Sequence, residues 1–210
     1  DITKAGRGLI PQKLRRWLSD EQTRRERLRL YAFLLGQCGD EQDAKLLRTF
    51  LEKRVASDNQ PLLDGVFTAY TLLSPKEGWE YTIGLLKDPT TQFLARYSAL
   101  RAVRYFQLTQ PEVVSEKERL RALRAALNHP DMADFPVEYL REWKCWKLTD
   151  EVLALAKKKD FKSPIIRNSV LRYALRCPDA QAARYVAAMK KTDPTLVADQ
   201  EEMLRAMEET

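Results

Sequence analysis

The feature that most limits what this chain can fold into is the loose repetition of one short pattern. A basic residue stands three positions ahead of a small or aliphatic one, inside an amphipathic stretch that is followed by a turn and a second amphipathic stretch. Arg29-Leu-Tyr-Ala32-Phe33, Arg96-Tyr-Ser-Ala99-Leu100 and Arg167-Asn-Ser-Val170-Leu171 are the clearest instances. Positions Arg29, Asp64, Arg96, Pro136 and Arg167 align at intervals of 35, 32, 40 and 31 residues, within the range of helical repeats. One helix pair of this length cannot bury both its apolar faces, so each needs a neighbour, and stacking makes a continuous core. The expected fold is all-α: an α-solenoid of about five helix pairs with flanking partial-repeat helices. Residues 1–210 read as one domain, with a partial first repeat at 1–20 and a terminal capping helix at 192–210.

Composition agrees with a folded helical chain. Only seven glycines occur among 210 residues, and Ala, Leu, Arg, Lys and Glu dominate without sustained alternation of β-branched and polar residues. No apolar run approaches the roughly 18 to 20 residues that span a bilayer, so no membrane insertion is expected. Cys38, Cys145 and Cys177 are an odd set without C-x-x-C spacing, which suits buried free thiols better than a disulfide framework or a zinc site. That leans toward a reducing, cytoplasmic setting and leaves export open. Asp at position 1 suggests a processed product or a piece of a longer protein.

Periodicity and capping residues divide the chain further. Residues 10–18 put Leu14, Trp17 and Leu18 on one face and read as the second helix of a repeat whose first is missing. A helix over 23–37 leads to Gly36-Gln-Cys-Gly39-Asp40, where glycine would supply a left-handed stop and Asp40 would cap a helix over 41–54. Later pairs are expected at 61–73 and 75–86, with Ser74 capping and Pro75 in the first helical position, then at 91–106 and 115–127. Two more follow at 135–147 with 149–159 and at 163–176 with 178–191, and a last helix at 194–208 closes the chain.

The residues from Ile10-Pro-Gln-Lys-Leu14 through Arg29-Leu-Tyr-Ala32 to Leu35-Gly36-Gln-Cys-Gly39-Asp40 resemble the HEAT-like helical repeats. That family's loose pattern is a helix, a Gly-Asp turn and a second helix. The match covers residues 10–54 and fades beyond them, where Asp64 and Pro136 replace the repeat's basic residue. The resemblance implies a right-handed superhelix whose second helices line the concave side. HEAT-like repeats serve scaffolds, carriers and a few enzymes alike, so fold does not settle function.

Charge is distributed unevenly. Residues 157–191 carry ten Lys/Arg against two acids, whereas 192–210 carry one Arg against six acids. Such blocks attract an acidic partner, attract each other, or simply solvate helix faces. On the second helices, Arg119, Arg121, Arg124, Lys157, Lys158, Lys159, Arg184 and Lys190 are the candidate binding residues, forming a basic stripe if the resemblance holds. The leading expectation is a non-enzymatic scaffold that binds a protein partner, or another domain of a longer chain, along its concave surface. The alternative is a basic nucleic-acid-binding solenoid, held by phosphates and lost steeply with salt.

The enzymatic extreme of that alternative rests on resemblance. HEAT-like alkylpurine DNA glycosylases use an aromatic residue, a carboxylate and an arginine on a concave surface, types that Trp146, Asp150 and Arg167 supply here. Their plainer roles are helix capping by Thr149 or Asp150 and an ordinary repeat arginine. Tyr139, Trp143 and Trp146 at i, i+4 and i+7 would share one helix face, as core or as a stacking surface. His129 is the sole histidine, and Gly6-Arg-Gly8 lacks the features of a phosphate loop, so no metal and no cofactor is expected.

Overall fold

The computed structural model describes residues 4–56 and 62–209, apart from the side chains of 4–8 and 208. Twelve α-helices and a 3-10 turn occur among the described residues, with no strand. Among these residues no helix is long and apolar enough to cross a membrane. The backbone forms two compact units, Asp1–Ala125 and Ala126–Thr210.

In the first unit, α1 (Lys4–Ser19), α2 (Arg25–Cys38), α3 (Glu41–Val55), α4 (Asp64–Leu73), α5 (Pro75–Lys87), α6 (Phe93–Leu108) and α7 (Glu116–Ala126) follow in order. At the centre is α4, whose Val66, Phe67, Thr68, Ala69, Tyr70 and Thr71 are all buried. A helix apolar on every side has no face to give to water, and α4 accordingly packs against α2, α3, α5 and α6. The first members of successive pairs are thus neighbours: α2 beside α4, α4 beside α6. Small residues make this possible. A Cβ built on Gly36 would lie 2.6 Å from the Ala69 Cα, and one on Gly65 would lie 2.1 Å from the Arg29 carbonyl oxygen, so α2 and α4 approach backbone to backbone.

Several boundaries have visible chemical causes. Asp40 caps α3, accepting from the Gln42 and Asp43 amides, while Asp43 accepts from the Asp40 amide to complete a reciprocal capping box. Pro75, Pro164 and Pro194 occupy the first turn of their helices. The expected left-handed glycine stop is not used: Gly36 lies within α2, and Gly39 has φ −83°. Gly39 is small because a Cβ there would lie 2.6 Å from both the Leu35 carbonyl and the Asp43 carboxylate. Ser74 donates to Glu77 at 3.3 Å instead of capping α5 through its side chain. Pro61, the expected start of the fourth helix, is outside the described residues.

In the second unit, α8 (Asp134–Glu142), α9 (Thr149–Leu155), the 3-10 turn Lys159–Phe161, α10 (Pro164–Arg176), α11 (Ala180–Thr192) and α12 (Pro194–Glu208) surround α10, which packs against all four other helices. The helix expected over 135–147 stops at Glu142. Lys144 takes φ 51°, the Cys145 amide donates to the Leu140 carbonyl at 2.8 Å and the Lys144 amide to the Arg141 carbonyl at 3.0 Å. This is a Schellman stop with lysine in the place glycine usually takes. Trp146 therefore leaves the face of Tyr139 and Trp143. The latter two stack at 5.5 Å, and Trp146 meets Tyr173 edge to face at 5.0 Å.

The thiols are free, but only Cys177 is buried. Cys38 is exposed in the last turn of α2, donating to the Leu34 carbonyl at 3.2 Å, because the buried face of that turn is taken by Leu35 and Gly36.

Candidate functional site

Along α2, Arg25, Arg29 and Phe33 recur every four residues, and along α6, Arg101, Arg104, Tyr105 and Leu108 recur every three or four. Both spacings make one continuous stripe on a helix. Between them the floor is α4, shorter than either neighbour, presenting Asp64, Gly65 and Thr68. Because Gly65 has no side chain and Thr68 is buried, the floor lies low and the two stripes become the walls of a groove of about 1030 Å³.

Two contacts cross the groove. Asp64 accepts from Arg101 Nε at 2.9 Å and has Arg29 Nη1 at 4.0 Å on its other oxygen. This carboxylate pushes the Arg101 guanidinium further above its ordinary pKa, so the cation is permanent. One helical turn on, the Phe33 and Tyr105 rings meet edge to face at 5.5 Å. At the mouth, Leu30 and Leu108 are 52 % and 60 % exposed. With Arg25, Arg29, Arg101 and Arg104 against Glu26 and Asp64, the lining has a net charge of two positive. With guanidinium groups and apolar side chains sharing its walls, the groove is suited to holding a segment that is itself amphipathic.

The basic residues singled out on the second helices have other surroundings. Arg119 is buried, donating to Gln107 Oε1 and the Pro111 carbonyl, both at 2.7 Å, and to the Val114 carbonyl. Burial lowers its pKa from the ordinary value, and its role is to tie the loop after α6 to α7. Arg121 forks onto Glu80 at 2.7 and 3.1 Å and also reaches Glu118. Arg124 is exposed on α7. In the second unit Lys157 and Lys158 are exposed between α9 and the 3-10 turn and Lys159 is exposed at its start, with Lys158 over the Phe161 ring. Arg184 is exposed on α11, and Lys190 pairs with Glu201 at 3.0 Å.

Trp146, Asp150 and Arg167 each have a different partner. Asp150 accepts from Gln181 at 2.6 Å, Arg167 pairs with Asp193, and Trp146 packs on Tyr173. The cap of α9 comes from neither Thr149 nor Asp150. Thr149 is the first helical residue, and its hydroxyl is buried against the Trp146 carbonyl at 2.7 Å and the Tyr173 hydroxyl at 2.9 Å.

The groove is built from first helices, not from the second helices that carry the basic residues above. Its signal was nevertheless in the sequence: two stripes of Arg followed four residues later by an aromatic ring, Arg29 to Phe33 and Arg101 to Tyr105. No family model, curated protein or solved structure matches the chain.

Proposed function

We propose that the chain is a scaffold of stacked HEAT-like helix pairs that binds a protein segment and carries out no chemistry of its own. The observation that carries this reading is the groove of the first unit, where guanidinium groups and apolar side chains share one concave surface. Protein interfaces combine apolar anchors with flanking charge, and arginine and aromatic residues are the types enriched in them. Stacking of helix pairs is supported within each unit by the neighbour order of first helices, α2–α4–α6 and α8–α10–α12.

The nucleic-acid alternative draws on the second-helix cations, and the inward or paired state of Arg119, Arg121 and Lys190 leaves fewer charges for phosphates. Panning a random dodecapeptide library against the immobilised protein separates the two readings. A protein-binding groove enriches peptides that bind in physiological salt and are lost with Leu30→Glu or Leu108→Glu. A protein that enriches no such peptide but holds unrelated DNA duplexes is a nucleic-acid binder.

A further inference from the structure

Resting on that reading, we infer that the groove of the first unit takes an acidic segment of another protein, with a carboxylate and a large apolar side chain set about 6 Å apart. The spacing comes from the walls. Arg29 and Phe33 are four residues apart on α2, and Arg101 and Tyr105 are four apart on α6, which at 1.5 Å per residue separates cation from ring by about 6 Å on both sides. Asp64 joins the two arginines, and Phe33 touches Tyr105, so charge meets charge and ring meets ring in the same order along both helices. The two walls therefore run in the same direction, and the Arg29–Asp64–Arg101 level comes one turn before the Phe33–Tyr105 level.

An occupant matches this polarity when its carboxylate and its apolar residue are two positions apart in an extended chain or four apart in a helix, each close to 6 Å. A phosphate backbone fits less well. Its charges repeat without an apolar side chain to meet Phe33, Tyr105, Leu30 and Leu108, and Asp64 stands in the middle of the cations. That internal carboxylate competes with the guest. Arg101 and Arg29 are already drawn to Asp64, so each carboxylate that enters must share them, while Arg25, one turn before Arg29, and Arg104, beside Tyr105, add positive charge to the same lining.

The test uses the 210-residue protein and two random dodecapeptide libraries, one of full alphabet and one from which Asp and Glu are withheld. Binders are expected from the full library only, with Asp or Glu recurring two or four positions from Leu, Phe, Trp or Met. Arg25→Glu combined with Arg104→Glu should weaken the selected peptides by roughly tenfold or more, given two reversed charges at a partly exposed site. Asp64→Asn should instead tighten them severalfold, a gain that a merely damaged fold does not produce. Equal yield from both libraries, or tightening absent in Asp64→Asn, overturns the acidic-segment inference while the protein-binding reading stands. Failure of both libraries overturns the two together, as does displacement of the peptides by a DNA duplex with equal sensitivity to Arg25→Glu and Arg104→Glu.

Discussion

Replacing Gly65 by alanine should destabilise the protein although alanine is the better helix former. The new methyl carbon would lie 2.1 Å from the Arg29 carbonyl oxygen, 2.9 Å from its carbonyl carbon and 3.2 Å from its Cα. Ordinary contact begins near 3.4 Å, so the closest pair falls short by roughly 1.3 Å. The obstructing atoms are all backbone and cannot swing aside as a side-chain tip would. Separating α2 from α4 would also loosen the Gly36–Ala69 contact on the same seam. Overpacking of this kind costs about 1–3 kcal/mol, occasionally more, against a helix-propensity gain of at most about 1 kcal/mol that is smaller in a first turn. A net loss of about 2 kcal/mol is expected. Gly84→Ala is the internal control, because nothing lies within 4 Å of its Cβ position, on the exposed side of α5. The same chemical change there should raise stability by about 0.5–1 kcal/mol. Urea denaturation followed by far-UV circular dichroism compares the two variants with the parent. Gains of similar size in both would refute the reasoning, since the backbone approach of α2 and α4 demands opposite signs.

Leu100→Ala and Leu171→Ala, both at fully buried positions, should each cost about 2–5 kcal/mol in the same assay. Arg15→Gln should cost about 1–2 kcal/mol near neutral pH: it removes charged hydrogen bonds of 2.5 and 2.8 Å to the buried Asp43, from a guanidinium partly open to solvent. Burial alone would raise the Asp43 carboxyl, but the Arg15 and Asp40 hydrogen bonds with the Arg15 charge outweigh it and hold the pKa below the ordinary value. That stabilisation is therefore present above the unfolded pKa of about 4 and lost as pH falls through the lower folded value. Stability measured across that acid range should fall less steeply in Arg15→Gln than in the parent. Lys144→Gly should stabilise the second unit by up to about 1 kcal/mol, read from its denaturation midpoint, because glycine adopts φ 51° without a Cβ penalty.

Among the described residues, apolar spacing and capping residues placed the α-helices, the last of them, α12, from residue 194 to 208 as found, whereas the helix expected over 149–159 ends at Leu155 and gives way to the 3-10 turn. Where the reading failed, the deciding contact was non-local or the residue unusual. Nothing about Lys144 marks it as a left-handed stop, since lysine has no local hydrogen bond to favour that region, and so α8 was read through Trp143 to 147. Gly36 looked like punctuation because glycine commonly ends helices. Only the approach of Ala69, over thirty residues away, shows why it sits inside α2. For the groove, each arginine was visible and Arg29 and Asp64 were even aligned as equivalent positions. What periodicity does not contain is which helices become neighbours, and Asp64 acquires meaning only between α2 and α6.

Charged side chains also meet where successive first helices are neighbours. In the first unit the side chains meeting across successive first helices are Arg29, Asp64 and Arg101. In the second, Glu138 accepts from Arg172 at 2.6 Å, and Arg172 donates to Gln200 at 2.6 Å. Sign alternates over α2, α4 and α6 and again over α8 and α10, and ends at the neutral Gln200 of α12. Helices of similar length and apolar pattern are easily exchanged during folding, and hydrophobic burial discriminates poorly between a right and a wrong neighbour. If α4 were skipped, Arg29 would face Arg101 with no carboxylate between them, and like charges opposed at close range are disfavoured. The order α2–α4–α6 thus keeps a carboxylate between two arginines, and Asp64 acts as an electrostatic spacer as well as a packing neighbour.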